Sequence, residues 1–215
     1  SIMASGSGVV QKDDAATDAA VLPEPTFLAR EAIGELEAAL DELRGILEEL
    51  GEGIIVLSGC ASSELGENLR TDNYEEAKRI ASWYKSVFGD RYYLELQDHG
   101  PPDSGTAWDV QIKINGYLEK LSQELDIPCV VTADGHYLTR DYQDAHEILL
   151  CVGTGSFLSD EKRMSLKDFE LHVADPADII ARWSKTNPEA VRNTKRIADR
   201  CDVEIELGRI LIPKF

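Results

Sequence analysis

The sequence is poor in basic residues, and this shortage restricts what the chain can bind on its own. Only 22 of its 215 residues are Lys or Arg, against 40 Asp or Glu, which gives a formal net charge of −18. Nucleic-acid phosphates are bound mainly by Lys and Arg. We therefore expect no direct binding of nucleic acid by this chain alone.

Long apolar runs and closely spaced cysteines are also missing. No stretch approaches the roughly 20 apolar residues that a membrane span requires, and the first residues lack the charged start and apolar core of a signal peptide. We therefore expect a cytoplasmic protein that does not enter a membrane. A zinc finger or redox motif built on Cys-x-x-Cys is excluded by the spacing of the four cysteines, Cys60, Cys129, Cys151 and Cys201.

The first fifty residues divide into two segments. Residues 1–26 are rich in Ser, Gly, Ala and Asp without hydrophobic periodicity, which predicts a disordered tail. Residues 27–50 predict an amphipathic helix, because apolar residues recur in a heptad pattern at Ile33, Leu36, Leu40, Leu43, Leu47 and Leu50. Two interpretations of this heptad seam stay open: packing on the following domain, or self-association of two copies as a coiled coil.

From residue 51 onward, the pattern alternates between strands and helices. Such alternation favours parallel strands joined by helical crossovers, as in an α/β barrel. Strands are predicted at 54–58, 91–96 and 128–132, and helices at 74–87, 107–125, 141–151, 176–184 and 188–201.

Possible metal ligands follow two of these strands. Asp134 and His136 come directly after strand 128–132, and Cys60 follows strand 54–58. The carboxyl ends of parallel strands meet at one face of a barrel, and carboxylate, imidazole and thiolate suit zinc, manganese or iron. The alternative is structural: Asp134 caps the next segment, His136 hydrogen-bonds in a loop, and Cys60 is a small buried apolar residue.

The remaining polar motifs are less specific. Asp98, His99 and Gly100 follow strand 91–96, and we favour a turn formed by Asp98 and Gly100 around a surface histidine over a third ligand or an acid–base residue. No Ser-His-Asp order or Gly-x-Ser-x-Gly elbow is present. We therefore predict no catalytic residue and no residue that binds an organic cofactor.

Several segments together resemble one family. They occur in the order GIIVLSGC (53–60), FGDRYYLELQDHG (88–100), DGHYL (134–138), DAHEILLCVGTG (144–155), EAVRNT (189–194) and LIPKF (211–215). The series resembles the polymerase-and-histidinol-phosphatase (PHP) domain found at the N-terminus of bacterial DNA polymerase III alpha subunits. The resemblance covers about residues 51–215.

The resemblance implies a fold, a metal and a set of ligands. Residues 51–215 would form the C-terminal part of a distorted β/α barrel of the PHP type, incomplete, with parallel strands, and ending at the start of the polymerase region. Cys60, Asp134 and His136 match family metal ligands, and zinc or manganese is the expected ion. Some members use this site for 3′–5′ exonuclease proofreading, whereas in others it only supports the polymerase.

The sequence departs from the family pattern in two ways that affect the expected function. The His-x-His pair and the Asp-His-Gly turn of the first barrel strands are absent, and residues 1–50 do not resemble that half of the domain. A phosphoesterase needs a full ligand set to activate water, and the catalytic aspartates of the polymerase palm are missing, so we expect the chain alone to be inactive.

We therefore predict a part of a replicative polymerase III alpha subunit, which is a DNA-directed DNA polymerase (a nucleotidyltransferase). Its partners would be the other parts of polymerase III and its holoenzyme subunits, and it would reach DNA only through the full polymerase. The alternative is a non-catalytic scaffold or interaction module derived from this domain, in which helix 27–50 recruits a partner.

Overall fold

The fold is taken from a computed structural model that describes residues 25–100, 106–204 and 207–208. The tail predicted at residues 1–26 therefore lies almost wholly outside the described residues, as does the closing segment 211–215. The chain divides into two units, residues 1–47 and 48–215, which are described separately.

Within the described residues, no helix combines the length and the apolar character that crossing a membrane would require.

Helix α1 (Pro25–Leu50) makes up the described part of the first unit and reaches into the second. This confirms the helix predicted at 27–50. The positions of the heptad seam are open to solvent in the single chain, with Leu36 65% exposed and Leu43 57% exposed, and only Leu47 is half-buried. A row of large apolar side chains is thus left uncovered along one face of α1.

The second unit is built on an open parallel sheet. Its strands are β1 (Val56–Leu57), β2 (Tyr92–Gln97) and β3 (Cys129–Thr132), and they lie in the order β1-β2-β3. Both pairs are parallel, with Val56 opposite Tyr92 and Leu94 opposite Cys129. The prediction of parallel strands is confirmed, and the sheet has the form of an incomplete β/α barrel.

Helices separate and flank these strands. In chain order they are α2 (Glu64–Arg70), α3 (Tyr74–Phe88), α4 (Thr106–Leu125), α5 (Gln143–Thr154), α6 (Pro176–Trp183) and α7 (Pro188–Arg200). All but α2 lie where the sequence predicts them. Helix α2 has only seven residues and is capped by Ser63, whose hydroxyl accepts a hydrogen bond from the Gly66 amide at 3.0 Å.

The core surrounds the central strand β2. Leu94 and Leu96 are fully buried, and Phe88, Leu121 and Val130 of the neighbouring elements are buried as well. Burying one such side chain stabilises the fold by about 1.5–3 kcal/mol. This packing fixes the positions at which β2 and β3 end, and hence the positions of the polar residues that follow them.

An irregular segment, residues 163–173, crosses the carboxyl ends of the strands, and we call it the strap. The Glu170 amide donates to the His99 carbonyl at 3.0 Å, and the His136 amide donates to the Leu171 carbonyl at 2.7 Å. A further isolated parallel bridge joins Tyr137 to His172. The strap is therefore tied to the residues that follow both β2 and β3.

Candidate metal centre

The three predicted ligands line one cavity of about 370 Å³ at the carboxyl end of the sheet. The cavity is bounded by Cys60 from the loop after β1, by His99 after β2, and by Asp134 and His136 after β3. Much of the remaining wall is apolar and includes four strap residues, Met164, Leu166, Phe169 and Leu171.

The donors are gathered around this cavity but are not drawn into one cluster. Among residues 25–100, 106–204 and 207–208, no group of three or more His, Cys, Asp or Glu side chains is close enough to hold a metal ion. The chemistry of the donor set nevertheless suits zinc, which binds thiolate, imidazole and carboxylate. Binding would require these side chains to move toward a common point.

Asp134 occupies a strained position on the loop after β3. Its backbone φ is 47°, in the left-handed region that aspartate tolerates better than most residues. One carboxylate oxygen, Oδ2, lies 3.2 Å from His99 Nε2, and the other, Oδ1, lies 3.9 Å from His136 Nδ1. The hydrogen bond from His99 lowers the pKa of Asp134, against the opposing effect of burial. The carboxylate is thus kept ionised, as cation binding requires.

The imidazole of His136 is oriented by the same loop. Its Nδ1 lies 2.6 Å from the Asp134 carbonyl oxygen, and since a carbonyl only accepts, Nδ1 must carry the proton. The bare nitrogen is then Nε2, the atom that can bind a metal. The ring also lies edge-on to His146, with the centroids 5.4 Å apart.

Cys60 is exposed, so the interpretation of this cysteine as a small buried apolar residue is wrong. Its carbonyl accepts a hydrogen bond from the Ser63 amide at 2.9 Å, which ties it to the start of α2. A Cβ on Gly66 would lie only 2.2 Å from this carbonyl oxygen, so α2 approaches the Cys60 backbone very closely. The backbone position of Cys60 is therefore set by the packing of α2.

The interpretation of His99 as a surface histidine is also wrong. Its side chain is only 8% exposed, and its ring packs edge-on against Phe169 with the centroids 4.9 Å apart. The predicted turn is present, because the Gly100 amide donates to Asp98 Oδ1 at 2.9 Å. One sequence signal could have indicated burial: Glu95, Gln97 and His99 continue the alternation of β2 on one side.

Two buried acceptor atoms beside the candidate ligands are left without partners. Gln97 Oε1 and His99 Nδ1 have no hydrogen bond among the described residues. The backbone carbonyl of Gln97, by contrast, accepts from Asn115 Nδ2 at 2.9 Å. Unpaired buried acceptors are rare in folded proteins and frequently mark a place for water or an ion. Their presence fits a hydrated cation in this cavity.

Glu147 on α5 holds the strap in place. Its buried carboxylate, 1% exposed, accepts hydrogen bonds from Arg163 at 2.6 Å, from the Ser165 hydroxyl at 2.8 Å and from the Leu166 amide at 2.8 Å. Burial alone would raise the pKa of Glu147, but these bonds outweigh burial and lower it. No pattern in the sequence indicates that Glu147 is buried.

An open parallel sheet with metal-type donors at its strand ends defines part of an α/β barrel domain. Comparison with known proteins specifies the family, because residues 29–99 match the PHP domain. This match confirms the resemblance of the chain to the PHP domain. This match begins at residue 29, within α1, so the expectation that residues 1–50 lie outside the family resemblance is wrong for residues 29–50.

The relatives are bacterial replication proteins. The chain is 36% identical over 156 residues to the DNA polymerase III subunit alpha of Borreliella burgdorferi, covering 73% of this chain and 13% of the relative. It is 34% identical over 180 residues to that of Campylobacter jejuni (79% and 14%), and 36% over 169 residues to that of Deinococcus radiodurans (76% and 12%). The chain thus spans about one seventh of the length of these relatives.

Proposed function

We propose that this chain is the C-terminal part of the PHP domain of a bacterial replicative DNA polymerase III alpha subunit, and that it serves DNA replication in the cytoplasm. The proposal is supported by the family match and by the similarity to alpha subunits over about three quarters of the chain. Its partners are the rest of the polymerase and the holoenzyme subunits. With a net charge of −18, it reaches DNA through the full polymerase.

The proposed role of residues 51–215 is to bind a divalent metal, zinc or manganese, through Cys60, Asp134 and His136. The observation that carries this proposal is that all three line one cavity beyond the ends of parallel strands. Asp134 supplies an ionised carboxylate, and His136 supplies a bare Nε2. A bound metal would act as a Lewis acid toward phosphate or water.

Two uses of this site are compatible with the domain: proofreading of the 3′ end, and structural support of the polymerase. The incomplete donor set favours support for the isolated chain, since three ligands cannot assemble a multi-metal cluster. A second candidate function is a non-catalytic interaction module. The exposed heptad seam of α1 favours this candidate, because apolar surface of that kind marks contact sites.

Metal binding can be tested by titrating the full 215-residue chain with zinc and with manganese against a chromogenic chelator. We expect one ion per chain, and a loss of affinity of at least about tenfold for Cys60→Ser and for Asp134→Asn. Cys201→Ser is the matched control, because Cys201 is also exposed but does not line the cavity. Equal affinity of all four proteins would refute the assignment.

Activity assays on the same 215-residue chain distinguish a catalytic role of the site from structural support. We expect no extension of a primer with dNTPs, and little release of nucleotides from single-stranded DNA with manganese or zinc. Robust release that Asp134→Asn abolishes would show that the site is catalytically complete.

We also propose that the seam of α1 mediates self-association. Sedimentation velocity over a range of concentrations should reveal a dimer, and the double variant Leu36→Glu/Leu43→Glu should be monomeric. Ala38→Glu adds charge to the opposite face of the helix and serves as the control. A wild-type chain that is monomeric at all concentrations would contradict the proposal.

A further inference from the structure

We propose that His99 is a positioning residue that holds the carboxylate of Asp134 in the orientation needed to bind the metal. The inference rests on the proposed metal site, and it adds to that site a residue that the ligand set does not include. His99 would act through Asp134 and would not itself contact the ion.

The geometry at Asp134 leaves one oxygen bound and one available. His99 Nε2 lies 3.2 Å from Oδ2, while Oδ1 lies 3.9 Å from His136 Nδ1. A carboxylate on a free loop would rotate between equivalent orientations. With Oδ2 held by an N–H donor, Oδ1 keeps a fixed position and is left free of the bond to His99.

His99 can hold the Asp134 carboxylate in one orientation because His99 is itself held in place. Its ring is buried against Phe169, and its carbonyl accepts from the Glu170 amide at 3.0 Å. The neighbouring residue, Asp98, is fixed in turn by Arg182 Nε at 2.7 Å and by Trp183 Nε1 at 2.6 Å. Both sides of His99 are thus tied to the strap or to α6.

The tautomer of His99 follows from the same contacts. An ionised carboxylate only accepts, so the proton of a neutral ring must lie on Nε2. The other nitrogen, Nδ1, is then an acceptor, and it is buried without a partner among the described residues. The only N–H group of the neutral His99 ring therefore donates to Asp134.

A purely structural role for His99 predicts different behaviour from a positioning role. Hydrogen-bonding partners of ligating carboxylates typically contribute 10–100-fold to metal affinity. A residue that only fills space would lower the melting temperature when changed, and would leave the affinity of the remaining folded protein unaltered. A conservative replacement that keeps an N–H donor should rescue a positioning role.

The test measures zinc affinity by chelator competition in the full chain for wild type, His99→Leu and His99→Gln. We expect His99→Leu to weaken binding about 10–100-fold and His99→Gln to weaken it less, because the amide can still donate to Asp134. His172→Gln is the control, since His172 also has a buried, unpartnered Nδ1 but does not line the cavity. With Co²⁺ as a substitute, the thiolate charge-transfer band of Cys60 should persist in all four proteins.

The outcomes are distinct. Wild-type affinity of His99→Leu, together with weak binding by Asp134→Asn, would overturn the role of His99 and leave the metal site intact. Absence of metal binding by the wild type would overturn both. If His99→Leu does not fold, nitrogen NMR of the metal-free wild type decides: a proton on His99 Nε2 that is perturbed by Asp134→Asn supports the proposal, and a bare Nε2 refutes it.

Discussion

Replacing Glu147 by alanine should destabilise the protein more than any other single change of charge on α5. The carboxylate is 1% exposed and accepts three hydrogen bonds from the strap, one of them from the Arg163 guanidinium. Each hydrogen bond to a charged group contributes about 1.5–3 kcal/mol, but the three are coupled and do not add. Breaking a buried pair costs about 3–5 kcal/mol, and we expect a loss in that range.

A loss of this size is a large share of the total stability of a domain, which is about 5–15 kcal/mol. Urea unfolding followed by circular dichroism would measure it from the change in midpoint at constant slope. Asp144→Ala is the matched control: Asp144 lies on the same helix and also pairs with the strap, through Lys167, but its side chain is 84% exposed. We expect it to change stability little.

The loss of stability in Glu147→Ala should depend on pH. The pKa of Glu147 is lower in the folded protein than in the unfolded chain. Its contribution is therefore present above the unfolded value, about 4.3, and is lost as the pH falls through the folded pKa. Wild type and Glu147→Ala should converge in stability as the pH is lowered below 4.3. Equal stabilities of Glu147→Ala and Asp144→Ala at neutral pH would refute the reasoning.

Three further predictions concern the surroundings of the cavity. Gly66→Ala should destabilise by about 1–3 kcal/mol, because its Cβ would meet the Cys60 carbonyl oxygen, whereas Gly116→Ala, with nothing within 4 Å, should stabilise slightly; thermal melts compare the two. Asp98→Ala should cost roughly 2–4 kcal/mol and change the fluorescence of Trp183, whose indole loses its acceptor; an unchanged emission spectrum would contradict this. The pKa of Asp134 is lowered in the folded protein, so its contribution to stability should be lost as the pH falls below about 3.9. If Asp134→Asn showed the same dependence of stability on acid pH as the wild type, this contribution would be excluded.

Much of the fold could be predicted from the sequence because its signals are local. Apolar alternation and helical periodicity located β2, β3 and the longer helices to within a few residues. Helix α2 could not be predicted, since its seven residues form only about two turns, too few to show a helical periodicity. Strand β1 is shorter than its apolar run, with Ile54 49% exposed, and it pairs on one side only among the described residues.

The residues of the candidate site also fall into two groups, those whose placement could be predicted from the sequence and those whose placement could not. That Cys60, Asp134 and His136 line one cavity could be predicted, because each follows a strand and parallel pairing brings strand ends together. The contact of His99 with Phe169 and the burial of Glu147 could not be predicted, since both involve the strap, which lies far along the chain and has no regular periodicity. Contacts with Phe169 and Arg163 have no sequence signature that points back to these residues.

The central claim is that Cys60, Asp134 and His136 bind one ion together, and X-ray absorption at the zinc edge of the zinc-loaded full chain tests it most directly. We expect a mixed shell, with one sulfur at about 2.3 Å and nitrogen or oxygen atoms at about 2.0–2.2 Å. Cys60→Ser should remove the sulfur, while Cys201→Ser should leave the spectrum unchanged. A shell without sulfur in the wild type, or a sulfur that survives in Cys60→Ser, would contradict the assignment.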